Sequence, residues 1–228
     1  VTSPLRATVA EFVGSALLAV VVVGSGIAAQ QLSTDTGLQL LENALATALG
    51  LTVLILVFAP VSGAHFNPVV TAVDALLGER PWADLARYLP AQVLGCIAGS
   101  ILANAMFGMP AAAWSTTDRA TWPHLLAEVV ATAGLVLVIF ALVRTGRAAL
   151  AAPAVGAYIG AAYFFTSSTS FANPAITVGR MFSDTFAGIA PSSAPAYVAA
   201  QLVGGAVGWL AVRALFPLAR EPAERRGT

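Results

Sequence analysis

Two short dipeptides carry most of the chemistry in this sequence. Asn67-Pro68 opens the stretch NPVVTAVDALLG (67–78), and Asn173-Pro174 opens NPAITVGRMFSD (173–184). An Asn-Pro pair starts a helix well, because Asn caps it and proline fills the first position, where a missing N–H costs nothing. The Asn amide can then offer N–H groups to a passing oxygen. One such pair usually marks a turn. Two at matched positions, each after a long apolar stretch, predict two helix openings that face each other. Two carboxylates, Glu11 and Glu128, sit inside long apolar stretches, where an unpaired charge is costly. His65 stands two residues before Asn67, whereas His124 lies at a loop-to-helix edge with no motif around it. There is no Ser/His/Asp set, metal-ligand cluster or phosphate loop, so neither enzyme chemistry nor a cofactor or metal site is expected.

The elements that must hold these residues are long and apolar. Six such segments run roughly over 5–29, 41–60, 84–107, 124–144, 149–168 and 195–217, with Arg, Pro, Gly and Asp at their flanks. Each is long enough for a spanning helix, which needs roughly 20 apolar residues. The two NP segments have about 12 residues, or about 18 Å as helix, against a hydrocarbon core of ~30 Å. They can enter a membrane and turn back, but they cannot cross it. Irregular backbone at that depth is tolerated only where it is buried or lines a cavity.

Composition agrees with a membrane setting. The chain has 228 residues, 58% hydrophobic and 10% charged, against about 25% charged in soluble domains. Its mean hydropathy is +0.82. All 11 basic residues are arginine and the net charge is zero, so no basic surface points to nucleic acid. The single cysteine, Cys96, excludes an internal disulfide and reads as a packing residue. The first apolar stretch is too long for a signal-peptide core and is expected to be a retained helix, although Val1 suggests a trimmed start.

The sequence also repeats itself. AEFVG (10–14) recurs as AEVVA (127–131), NPVVT (67–71) as NPAIT (173–177), and AQVLG (91–95) as AQLVG (200–204). Each half holds three spans and one short segment. An odd number of spans per half forces opposite orientations, which makes an inverted repeat. We therefore expect one transmembrane channel domain over 1–228, with repeats roughly at 1–108 and 120–218. Arg6, Arg80, Arg87, Arg144, Arg147, Arg213, Arg220, Arg225 and Arg226 fall on one side if both termini are cytoplasmic, with only Arg119 and Arg180 opposite. Gly14, Gly95, Gly99, Gly160, Gly204 and Gly208 permit close helix crossings.

SGAHFNPVVT (62–71) and TSFANPAIT (169–177) resemble the two signature loops of aquaporins, the major intrinsic proteins. The resemblance covers essentially the whole chain. It implies an all-α membrane fold of six spans and two re-entrant half-helices in an inverted repeat, a homotetramer with one pore per protomer, and passage of small neutral solutes. The pore motifs are then Asn67, Pro68 and Val69, and Asn173, Pro174 and Ala175, with Val69 where the family usually has alanine. The family further implies that Glu11 and Glu128 accept hydrogen bonds from the re-entrant loops. A proton relay through them is the alternative, and it would suit a secondary transporter. His65 takes the family's place at the cytoplasmic pore mouth.

In the family, a narrow filter on the extracellular side is built from four positions. A water channel typically has a histidine on the fifth span and an arginine directly after the second motif. Counting from the motifs gives Leu49, Ala161, Ser170 and Ile176, an apolar ring with one hydroxyl and no fixed charge. Such a ring suits a neutral solute larger than water. Arg180 lies one turn beyond Ile176, within about 40° of the same face, and could reach the outer vestibule. The stretch FFTSSTSFANPAITVGRMFSDTFAGIAP (164–191) resembles a bacterial branch of the family linked to arsenic handling. That likeness suggests arsenous acid or methylated arsenicals as permeants, beside glycerol-like polyols, and a place in a bacterial plasma (inner) membrane. A water-selective channel and a secondary transporter stay open at this point.

Overall fold

The computed structural model describes residues 3–217; Arg220, Arg225 and Arg226 lie outside the described residues. Those described are helical or irregular, with no strand among them. α1 (Pro4–Leu32) starts on a Ser3 cap whose hydroxyl accepts from the Arg6 N–H, with Pro4 in the first turn. α2 (Thr36–Ser62) starts on Asp35, which accepts from the Leu38 N–H at 2.8 Å, and stops at Gly63, whose φ of 93° favours glycine. α3 (Pro68–Leu76) is short. α4 (Trp82–Met106) and α5 (Trp122–Arg144) are long again. A 3₁₀ turn (Ala148–Leu150) leads into α6 (Ala151–Phe165), followed by the short α7 (Pro174–Arg180) and by α8 (Ala194–Leu215).

Six of these segments are long and apolar enough to cross a membrane: α1, α2, α4, α5, the stretch Ala148–Phe165, and α8. The two NP segments are helical but shorter than expected, with 9 and 7 residues. α7 ends early because the chain after it bonds elsewhere. The Met181 and Phe182 carbonyls accept from the Ser115 and Ala113 N–H groups of the α4–α5 loop.

Packing sets the frame. α1 crosses α4 at Gly95 and Gly99, where an added Cβ would run into the Phe12 and Ala16 carbonyls. α5 crosses α8 at Gly204 and Gly208, with an added Cβ 2.5 Å from the Val129 carbonyl and 2.7 Å from Val136. Small residues let the two backbones approach, and dispersion and weak contacts hold helices together in lipid. The short helices α3 and α7 dock on these pairs, α3 on α4 and α8, and α7 on α4, α8 and α1.

Candidate functional site

Both NP segments are capped alike. The Asn67 side-chain oxygen accepts from the Val69 N–H at 3.0 Å. Asn173 accepts from the Ala175 and Ile176 N–H groups at 2.9 and 3.3 Å. Pro68 and Pro174 take the first helical positions. Before each Asn the backbone is left-handed at matched residues, Ala64 and Phe66 in the first loop and Ser170 and Ala172 in the second. None is glycine, so each costs of order 1–2 kcal/mol. Such strain persists only where the surroundings over-determine it.

The two glutamates do so. Glu11 is fully buried and accepts from the His65 N–H (3.0 Å), the Phe66 N–H (2.7 Å), the Ser62 hydroxyl (2.6 Å) and the Gln92 amide (2.7 Å). Glu128 is equally buried and accepts from the Phe171 and Ala172 N–H groups at 2.9 Å each, and from the Gln201 amide at 2.7 Å. Loop N–H groups turned to the carboxylates leave loop carbonyls to point elsewhere. Asn67 donates to the Ala172 carbonyl at 2.7 Å, and Asn173 donates to the Phe66 carbonyl at 2.8 Å. Each amide thus crosses to the opposite half with one proton and keeps one more to donate.

A cavity of about 470 Å³ passes this crossing. It runs from Leu56, Ala59, Ala148 and Ala152 past His65, Asn67 and Asn173 to Ser170, Ile176 and Arg180. Its walls are mostly apolar, with Leu51, Leu135, Ile139, Phe140, Val155 and Ile159 among them. Pro68, Val69, Pro174 and Ala175 are buried behind the two asparagines and hold the half-helices in place.

Two expected filter residues stand elsewhere. Leu49 is 60% exposed on the outer face of α2, and Ala161 is exposed on the outer face of α6. Leu51, Ile55, Val155 and Ile159 face the cavity further along those helices, and at its Ser170 end the facing residues are Thr47 and Tyr163. Each lies two positions from the expected residue, and two positions turn a helical side chain by about 200°. A small miscount along a spanning helix therefore exchanges the cavity for the outer surface. Thr47 and Tyr163 are buried, and their hydroxyls meet at 3.1 Å across the outer part of the cavity. Ser170, Ile176 and Arg180 border the cavity as the count from Asn173 gives. The Ser170 hydroxyl has no partner among the described residues.

At the other end His65 borders the cavity with its Nδ1 3.0 Å from the Thr71 hydroxyl and its Nε2 3.3 Å from Asp74. Arg80, in the α3–α4 loop, reaches Asp74 at 3.0 Å and the Tyr88 hydroxyl at 3.1 Å. Burial works to lower the Arg80 pKa, but Tyr88 and the Asp74 and Asp84 carboxylates outweigh it and hold it above its ordinary value. The mouth loop is thus tied to the loop behind α3.

Sequence reasoning passed over Gln92, Gln201, Thr71 and Thr177. Gln92 bridges Glu11 and the Thr71 hydroxyl; Gln201 bridges Glu128 and the Thr177 hydroxyl. The signal was present in the AQVLG and AQLVG repeats, whose glutamines recur with the NP segments and the glutamates.

Six membrane-competent helices, two capped half-helices meeting at crossed asparagines and a cavity through the crossing define a multi-pass membrane channel. Comparison with known proteins agrees. Residues 1–170 match the family model described as Major intrinsic protein. The chain is 46% identical over 215 residues to Aquaglyceroporin AqpS of Rhizobium meliloti (strain 1021), covering 94% of this chain and 92% of that one. It is 30% identical over 224 residues to a probable TIP-type aquaporin of Medicago truncatula, covering 93% and 87%. In fold it is similar to the aquaglyceroporin from Plasmodium falciparum, with a TM-score of 0.70 at 21% identity over 92% of this chain and 96% of that one. The chain belongs to the major intrinsic protein family. It is a membrane channel for small neutral solutes and not an enzyme.

Proposed function

We propose that this channel passes uncharged solutes larger than water, with glycerol-like polyols and neutral metalloid acids or methylated arsenicals as the permeant class, and some water beside them. The observation that carries the reading is Ile176, an apolar side chain bordering the cavity directly after the second NPA motif. An arginine there would fill the lumen with a fixed charge; isoleucine leaves an apolar wall. The mostly apolar lining of the 470 Å³ cavity accepts the carbon or methyl side of a permeant. The spare amide protons of Asn67 and Asn173, and the Ser170 hydroxyl, offer hydrogen bonds to its oxygens. The filter is then Thr47, Tyr163, Ser170 and Ile176, with Arg180 as the charge at the outer end. Glu11 and Glu128 brace the loops; their full sets of donors leave them no role in coupled transport.

The name of the rhizobial relative, an aquaglyceroporin, supports the same class. One domain of two inverted repeats, roughly 1–108 and 120–218, fits the matched caps and braces. Assembly as a homotetramer and a place in a bacterial inner membrane with both termini cytoplasmic complete the reading. Two observations favour a second reading. The Thr47–Tyr163 contact and the buried Arg180 narrow the outer end, which suits a water-selective channel.

Stopped-flow light scattering on proteoliposomes decides between them. The parent and an Ile176→Arg variant are compared for water, glycerol and arsenous acid. Glycerol or arsenous acid flux well above empty liposomes, suppressed by Ile176→Arg, is the expected result. Water flux alone in the parent establishes the second reading.

A further inference from the structure

The position after Ala175 carries no charge, yet two arginines converge nearby on one aromatic ring. The Arg180 guanidinium carbon lies 3.4 Å from the centre of the Phe171 ring, and that of Arg119 lies 5.5 Å from it. Arg180 comes from α7 and Arg119 from the α4–α5 loop, 61 residues earlier in the chain. Phe171 lies between the left-handed residues Ser170 and Ala172. Its N–H is fixed on Glu128 at 2.9 Å, and its ring meets Tyr197 edge-on at 5.1 Å. The ring therefore has little freedom.

The polar ends of both arginines are held by one arc of backbone. Arg180 Nε donates to the Ala187 carbonyl; Arg119 Nε donates to Gly188 at 2.7 Å and its Nη2 to Phe186 at 3.0 Å. Three consecutive carbonyls thus hold two guanidinium groups. Among the described residues, no carboxylate lies within ion-pair distance of either. Nε is also the only side-chain nitrogen of Arg180 that meets a protein acceptor among the described residues. Arg180 borders the long cavity. Arg119 borders an outer recess of about 510 Å³, together with Thr36, Thr117, Thr169, Asp184 and Thr185. The two charges face successive compartments.

We propose that Phe171 is the positioning residue of a two-arginine barrier to cations, and that Arg119 is its outer member. The ring face and the carbonyl arc fix the Arg180 charge in the pathway, one turn later than the motif-adjacent position. A neutral solute passes it by hydrogen bonding to the free nitrogens. A cation meets two fixed positive charges with no paired carboxylate. The proposal rests on the reading of Arg180 as the charge of the filter.

The test uses the purified channel in proteoliposomes and reads the ratio of proton leak, under a potassium diffusion potential, to glycerol or water flux. Phenylalanines carrying one, two and three ring fluorines are incorporated at position 171. Fluorine withdraws the electron density that attracts a cation and hardly changes the ring's size. The expected result is a stepwise rise of the ratio, reaching about tenfold with three fluorines. Arg180→Leu and Arg119→Leu should each raise it, and Phe171→Tyr should keep it low. A flat fluorine series beside a leaky Arg180→Leu channel overturns the role of Phe171 and leaves the filter reading intact. An Arg180→Leu channel as tight as the parent overturns both. An Arg119→Leu channel as tight as the parent removes Arg119 from the barrier.

Discussion

A buried carboxylate in lipid is retained only where donors surround it, and Glu128 has three, two of them N–H groups of the strained loop. Glu128→Gln turns one acceptor oxygen into a donor that faces other donors. The expected cost is about 3 kcal/mol, seen as an apparent Tm lowered by roughly 6–12 °C in detergent. Glu42 is the control. Its Oε2 has no partner among the described residues, so Glu42→Gln should leave the Tm unchanged or raise it. Equal losses in the two variants would show that the loop bonds to Glu128 carry no stability. At this scale the sequence is legible where type and spacing coincide. Asn67, Asn173, Glu11 and Glu128 can be picked out because a polar group in an apolar stretch must have a reason. Thr47 and Tyr163 cannot, because their role depends on which side of a helix faces inward. That side is set by packing against neighbours in a segment apolar all round, where periodicity gives no guide.

The helices show why the first motif tolerates valine. Val69 is buried against α8 at Gly205, where an added Cβ would lie 2.5 Å from its methyl. In the second half α7 also runs close to α4, since a Cβ added at Gly179 would lie 2.7 Å from both the Cβ and the carbonyl of Cys96. Gly205→Ala should therefore cost about 1–3 kcal/mol through overpacking, and adding Val69→Ala should recover part of it. A thermal double-mutant cycle should give a coupling of about 1 kcal/mol; additive losses would sink the compensation. The α4–α5 connection carries its own expectation. Asp118 accepts from the Ser193 hydroxyl and from the Ala120 N–H at 3.2 Å, while Ser193 also receives the Arg119 N–H at 3.0 Å. The bond from Ser193, with help from the Ala120 and Arg119 N–H groups, holds the Asp118 pKa below its ordinary 3.8. A depressed folded value means that this contribution is fully present above the unfolded pKa and is lost only as pH falls through the folded one. Titrating Asp118 thus leaves solute flux level between pH 8 and pH 5 and lowers it only below about pH 4. A step in flux near pH 5 that Asp118→Asn abolishes would contradict this. The existence of these helices was legible from length and polarity. The early end of α7 was not, because it depends on carbonyls captured by the distant 113–115 segment.

Across the whole molecule, charge is distributed along one axis. Arg80 and Arg87 border a recess with Pro4 and Ala7 of α1, which puts the start of the chain and the α3–α4 loop at one end. Arg144 donates to the Phe216 carbonyl at 2.9 Å, so the α5–α6 turn and the end of α8 lie together. Ala148 and Ala149 border the long cavity with Pro60 and Gly63, which joins that turn to the same end. Arg6, Arg80, Arg87, Arg144, Arg147 and Arg213 thus gather there, with Arg119 and Arg180 at the other end, tied to the 186–188 carbonyls. Arginine in short loops is retained on the cytoplasmic side, and six against two is a strong bias. The arginine-rich end should therefore face the cytoplasm, and the Arg119–Phe171–Arg180 cluster should meet solutes arriving from outside. Single cysteines decide this on a Cys96→Ser background, since Cys96 is fully buried and silent to reagents. Ala112→Cys lies in the α4–α5 loop and Thr145→Cys in the α5–α6 turn, both exposed. A membrane-impermeant maleimide should label Ala112→Cys in intact cells, and Thr145→Cys only after permeabilisation. The opposite pattern would invert the channel and move the two-arginine cluster to the cytoplasmic mouth. Labelling of both in intact cells would mean that the arginine bias does not fix the orientation.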